Sequence, residues 1–125
     1  GSIRFGDDIL QAGRGPAWLY ASAAFVSGHA VGSVYRSSLH DELGYYTKKY
    51  PIAADQLFML KAFLSGKRIL KINSVIGEFN NTGISSVDKV GTITEIYRIM
   101  LELGFNKMVQ TLLMFLRITK VLTKI

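Results

Sequence analysis

Cysteine is absent from the 125 residues, which excludes a disulfide framework and any thiolate-ligated metal. Histidine is nearly so: only His29 and His40 occur, too few for a site built from imidazole ligands alone. No uninterrupted apolar run reaches the roughly 20 residues that span a bilayer. The chain starts on polar residues and lacks the basic-then-apolar order of a secretory signal. No run of interleaved aromatic and basic residues resembles an RNA-binding signature, so nucleic acid is not an expected partner. What is present is a hydrophobic fraction of 49 %, enough for a core, and a net charge of +6. At this length one domain is the natural count. The positive charge is spread along the chain, and its one cluster is Arg117, Lys120 and Lys124 near the end.

One stretch organises the rest. Tyr50-Pro51-Ile52-Ala53-Ala54-Asp55 reads as a loop that sets an aspartate at the mouth of an apolar helix. Pro51 biases its predecessor toward an extended conformation. Asp55 is a preferred residue at a helix N-terminus, where a carboxylate accepts an otherwise unpaired backbone N–H. Leu57, Phe58, Leu60, Phe63 and Leu64 give a wide apolar face at helical spacing, and Gly66 is the expected stop. A carboxylate so placed suits a general base and equally a simple helix cap.

Before this stretch, Ile3-Arg4-Phe5 and Ile9-Leu10-Gln11 flank Gly6-Asp7-Asp8 and read as a hairpin. Asp7 and Asp8 could in principle hold a divalent cation. The turn reading is preferred, because Asp side chains bond nearby backbone in turns. Ala17 to Phe25 predicts a short buried helix or irregular segment, and Ala30 to Tyr35 a buried strand entered through Gly28 and His29. Ser37 to Gly44 predicts a compact helix capped by Ser37 or Ser38, with His40 toward solvent. After the central helix, Lys67 to Ile72 and Ser74 to Phe79 read as strands, with Glu78 facing solvent or a polar partner. Asn80 to Ser86 is rich in turn formers.

The remainder reads as helical. Thr92-Ile93-Thr94-Glu95 fits a capping box. Ile93, Ile96, Tyr97, Met100 and Leu101 follow helical spacing up to Gly104. A second helix from about Asn106 carries Met108, Leu112, Phe115 and Leu122 on one side, with Arg117, Lys120 and Lys124 broadly opposite. Its first reading is a helix that covers the core. Peripheral contact with an anionic membrane and pairing with a second copy as a homo-oligomer are the alternatives. The fold class expected is α/β, a mixed α+β arrangement, with residues 1–86 as one unit and 87–125 as a helical extension.

The ordered set resembles glycosyltransferase family 2. The residues that carry the resemblance run from Gly28-His29 through Tyr35 to Leu39, then Leu43-Gly44-Tyr45, then Ile52-Ala53-Ala54-Asp55 with Phe58-Met59-Leu60. They continue with Phe63-Leu64-Ser65-Gly66, Val75 to Phe79, and Gly83-Ile84-Ser85-Ser86. The similarity covers about Ile3 to Ser86, and it is the order and spacing that are specific rather than any one piece. It implies a partial GT-A-like sheet with packed helices, the acceptor-side half of a transferase of the kind that builds bacterial surface polysaccharides. It further implies Asp55 as the catalytic base and His29 with Gly28 lining a substrate pocket. By the same resemblance, Gly83 and Ser85 lie near a nucleotide-sugar. Where the family often has glutamine after that histidine, this chain has Ala30. The family's donor-binding βαβ region and its Asp-x-Asp motif, which holds Mg²⁺ or Mn²⁺ on the diphosphate, are not found in these residues. The resemblance therefore implies a cytoplasmic transferase fragment, excised or truncated. Its nucleotide-sugar, saccharide acceptor and metal belong to the complete enzyme, and the chain alone is expected to be inactive. A non-catalytic module that self-assembles or binds a partner is the competing expectation.

Overall fold

A computed structural model describes residues 2–5, 8–10, 15–24, 32–72, 74–78 and 87–124. The fold is mixed and mostly helical. Strand β1 (Ser2–Phe5) pairs antiparallel with β2 (Asp8–Leu10), with Ile3 opposite Leu10 and Phe5 opposite Asp8. That is the hairpin expected from the sequence; Asp7 lies outside the described residues. Strand β3 (Val75–Glu78) joins the other edge of β1 in parallel, giving the order β2-β1-β3. Glu78 is exposed, as its position in the strand predicts.

The other two strand expectations do not hold where they can be seen. Residues 33–36 and 67–72 form no strand. Their β-branched and apolar composition favours extended backbone, but a strand exists only where a neighbour supplies ladder hydrogen bonds. Among the described residues only β1, β2 and β3 make such a ladder.

Helix α1 (Ala17–Tyr20) passes directly into a 3₁₀ turn, Ala21–Ala24. Helix α2 (Ser38–Leu43) ends at Gly44, whose φ of 84° is readily accepted only without a side chain. Helix α3 (Ala54–Leu64) follows the central loop. Helix α4 (Lys89–Glu102) and helix α5 (Lys107–Leu122) form a hairpin around Gly104, where φ is 90°. Asn106 caps α5, its side chain accepting the N–H of Val109 at 3.1 Å.

One core spans both sequence units. Ala21, Tyr50, Ala53, Leu57, Leu60, Ile99 and Met100 are buried together. Leu57, Phe58 and Leu60 thus use the predicted inner face of α3, whereas Phe63 and Leu64 are 42 % and 48 % exposed.

Two corrections concern the helical extension. Thr92 does not start a capping box: α4 begins three residues earlier, with the Asp88 side chain accepting the N–H of Gly91 at 2.8 Å. Glu95 is released from local capping and turns toward α3. In α5, Met108, Leu112, Phe115 and Leu122 do not cover the core but are all more than half exposed. The inward side of α5 carries Gln110 and Arg117 among the half-buried Leu113, Met114, Ile118 and Val121. Gln110 Nε2 donates to the Trp18 carbonyl at 2.8 Å, and the Arg117 guanidinium donates to the Leu19 carbonyl. These bonds satisfy carbonyls near the end of α1 and hold the rotation of α5.

Candidate functional site

Asp55 is the second residue of α3. Ala53 occupies the N-cap position and offers no side chain to the helix end. Asp55 does not occupy the cap position: its carboxylate meets the N–H groups of Gln56 and of Asp55 itself, and the N–H groups before it are served from another element. Glu95 of α4 reaches across, and its Oε2 accepts the N–H of Ile52 at 2.9 Å and of Ala53 at 2.8 Å. About two turns further along α4, Glu102 accepts the Tyr50 hydroxyl at 2.8 Å and the Lys49 ammonium at 3.3 Å. Two carboxylates seven residues apart on one face of α4 therefore clamp the 49–53 loop. The loop in turn sets where α3, and Asp55 with it, begins.

The Asp55 carboxyl is half-buried, and burial pushes its pKa above the ordinary carboxylate value. Backbone N–H groups of Gln56 and of Asp55 itself oppose that shift without cancelling it. Its next neighbour, Gln56, is tied by its Oε1 to the Ser22 hydroxyl at 2.9 Å. A carboxylate desolvated in this way is a stronger proton acceptor than one in water.

An aromatic cluster lies beside it. His40 stacks between Phe58 (centroids 4.4 Å apart) and Tyr45 (5.0 Å). Tyr35 and Tyr46 close the group on Phe58 at 5.1 and 5.5 Å, and their hydroxyls bond each other. The expectation that His40 points to solvent is corrected, because the ring gains more by stacking than by hydration. Its Nδ1 donates to the Gly44 carbonyl at 3.1 Å, which leaves Nε2 as the free edge of the ring. The Tyr46 hydroxyl is held far above its ordinary pKa, first by burial, then by the Tyr35 hydroxyl and the negative charge of nearby Asp55. Tyr46 therefore stays a neutral donor beside a carboxylate.

A cleft of about 690 Å³ opens on the other side of the cluster, between residues 32–36, α2, α3 and residues 67–72. Its walls are largely apolar, with Met59 and Ile69 among them, and Arg36, Lys67 and Arg68 bring positive charge to it. Glu42 neutralises Lys67 by an ion pair. The Ser33 hydroxyl reaches the Met59 sulfur at 3.6 Å, joining one wall to α3. Tyr35 and Phe58 belong to both the cleft and the aromatic cluster; Asp55 does not line the cleft but stands one helical turn before Phe58.

The structure thus brings Asp55 within electrostatic reach of Tyr46, which belongs with Tyr35, His40, Tyr45 and Phe58 to one aromatic cluster. Gly28, His29, Gly83 and Ser85 lie outside the described residues. Among the described residues, no group of three or more acidic or histidine side chains is placed to hold a metal. Sequence reasoning missed the clamp of Glu95 and Glu102 and the role of His40. The seven-residue spacing of two glutamates on an otherwise apolar helix face was the available signal for the first. For the second, the signal was the density of aromatic residues between 35 and 58. Compared with protein-family models, with curated proteins and with solved structures, the chain matches none.

Proposed function

We propose that this chain carries the acceptor-side half of an inverting glycosyltransferase, with Asp55 as general base. The three-stranded sheet is, on this reading, part of a larger GT-A-like sheet. The observation that carries the proposal is the desolvated Asp55 carboxyl at the start of α3, raised in pKa by burial and flanked by an aromatic cluster. An acceptor hydroxyl loses its proton to this carboxylate as its oxygen attacks the anomeric carbon and the nucleoside diphosphate departs. The C–H face of a sugar ring rests on an aromatic face, and Tyr46 supplies a hydroxyl that remains protonated. His29, Gly28, Gly83 and Ser85 complete the substrate contacts by resemblance. The nucleotide-sugar and its Mg²⁺ or Mn²⁺ belong to the donor-binding half, which this reading places on other residues.

The test is release of nucleoside diphosphate after a donor-binding half is supplied in trans. Native protein is expected to support release, and Asp55→Asn to reduce it by about a hundredfold or more, the range of a general base. Equal release from both removes Asp55 from the mechanism.

One observation favours a non-catalytic module instead. Val34 and Leu70, at the cleft, are 86 % and 68 % exposed, which suits a surface covered by a partner. Loss of binding to a donor-binding half in Val34→Asp, with Asp55→Asn silent in the release assay, is the pattern that selects this reading.

A further inference from the structure

The rotation of α5 leaves a coherent face without cover among the described residues. Met108, Leu112, Phe115, Leu116 and Leu122 are 84 %, 60 %, 59 %, 57 % and 56 % exposed, and they fall on one side of the helix at 3–4-residue spacing. This orientation is enforced from behind by Gln110 and Arg117, which are hydrogen-bonded to the Trp18 and Leu19 carbonyls. A rotation that hid the apolar side chains would break both bonds and leave two α1 carbonyls and a guanidinium unpaired. The apolar face is therefore displayed by construction.

We propose that this face of α5 docks on the surface of an anionic phospholipid bilayer. The proposal does not depend on the reading of Asp55. Charge decides the occupant. From Leu103 to Ile125 there is no aspartate or glutamate, whereas Lys107, Lys120 and Lys124 are exposed along the helix. Anionic headgroups complement such a surface. A second copy of the same helix would set lysine against lysine with no carboxylate between them. Area points the same way. One face of a 16-residue helix is about 24 Å long and supplies a few hundred Å² of apolar surface. A stable dimer buries about 800 Å² on each partner.

The polar side chains on this face are already satisfied. Thr119 donates its hydroxyl to the Phe115 carbonyl at 2.8 Å, and Thr123 to the Lys120 carbonyl at 3.1 Å. Entering the headgroup–acyl boundary then strips water from no unpaired hydroxyl. No helix among the described residues is long and apolar enough to cross a membrane. The helix lies in the interface rather than through it, with its lysine ammoniums reaching the headgroups.

The test is flotation of the whole chain with vesicles of phosphatidylcholine alone and of phosphatidylcholine mixed with phosphatidylglycerol. The protein is expected to float with the anionic vesicles and to bind neutral ones about a hundredfold more weakly, from about fivefold per lysine. High salt should narrow that difference. The variant carrying both Leu112→Glu and Phe115→Glu should lose flotation while keeping native circular dichroism, because both side chains point outward. Lys120→Glu with Lys124→Glu should lose only the preference for anionic vesicles. Native protein that stays with the unbound fraction for both vesicle types overturns the proposal. So does a dimer in solution that Leu112→Glu and Phe115→Glu convert to monomer, since the face would then serve a second copy.

Discussion

Glu95 Oε2 and the backbone nitrogen of Ala53 are 2.8 Å apart although 42 residues separate them in sequence. The same oxygen accepts Ile52 N–H at 2.9 Å, so one buried carboxylate closes the open end of α3. A helix start with no side-chain cap of its own depends on such a partner. Glu95→Ala leaves one buried and one part-buried N–H group unpaired and should destabilise the fold by about 3 kcal/mol. Glu95→Gln keeps an acceptor without its charge and should cost about 1 kcal/mol. Urea unfolding measures both. Midpoints that fail to fall in the order native, Gln, Ala would show that the clamp contributes nothing to stability.

Tyr50 and Glu102 form the outer half of the clamp, and they give it a pH dependence. The Tyr50 hydroxyl, and after it the Lys49 ammonium, hold the Glu102 carboxyl below its ordinary pKa, against an opposing effect of burial. A depressed folded-state pKa stabilises the fold above the unfolded value, and that stabilisation is lost as pH falls through the folded one. Glu102 is 42 % exposed, so solvent screens most of the electrostatic part. The hydrogen bond itself accounts for about 1 kcal/mol. Tyr50→Phe should remove about that much at neutral pH and less as the carboxylate titrates in acid. A destabilisation that stays constant down through the carboxylate range would assign the effect to lost packing instead.

How much of this was legible in the sequence differs element by element. The pairing of β1 with β2 and the stops at Gly44, Gly66 and Gly104 follow from local chemistry that sequence states directly, whereas Ser37 stands at the start of α2 without a side-chain cap bond. The start of α3 was legible; what closes it was not, because Glu95 acts over 42 residues and its local neighbours imitate a capping box. The orientation of α5 was misread for a related reason. The helix is apolar on more than one side, and two hydrogen bonds from Gln110 and Arg117 to α1 go with the inward placement of Leu113, Met114, Ile118 and Val121. Around Asp55, the helix position was legible, while the stacking of His40 on Phe58 and Tyr45 depends on how α2 meets α3.

The cap of α4 offers a test of sign. In a helix interior, alanine in place of glycine stabilises by about 1 kcal/mol. At Gly91 an added Cβ would lie 2.8 Å from Asp88 Oδ1, on the carboxylate that caps the helix. The Asp88 side chain can swing away, but only by giving up a cap contributing about 1 kcal/mol. The two effects oppose each other, and Gly91→Ala alone should leave stability nearly unchanged. Once Asp88→Ala has removed the cap, Gly91→Ala should stabilise by about 1 kcal/mol. Thermal unfolding of the four proteins in this cycle measures the coupling. Strict additivity would mean that the side chain of Asp88 does not cap the helix in solution.

Asp55 carries a stability penalty that a purely structural aspartate would not. Burial raises its folded-state pKa, so ionisation is harder in the folded protein than in the unfolded chain. The unfolded chain therefore loses the proton first as pH rises. The sign follows: the carboxylate destabilises the fold above its folded pKa, and the penalty disappears below its unfolded pKa. Asp55→Asn removes the charge at nearly constant shape and should be more stable than native protein at neutral pH. The two stability curves should converge as pH falls into the carboxylate range. Tyr46→Phe adds a second reading, since Asp55 acts on Tyr46 through its negative charge. It should leave both the stabilisation by Asp55→Asn and the pH at which it appears in place, because a neutral Tyr46 hydroxyl carries no charge to act back on Asp55 in the carboxylate range. A destabilised Asp55→Asn protein at neutral pH would identify the carboxylate as a helix-end support, and the strain expected of a proton acceptor would be absent.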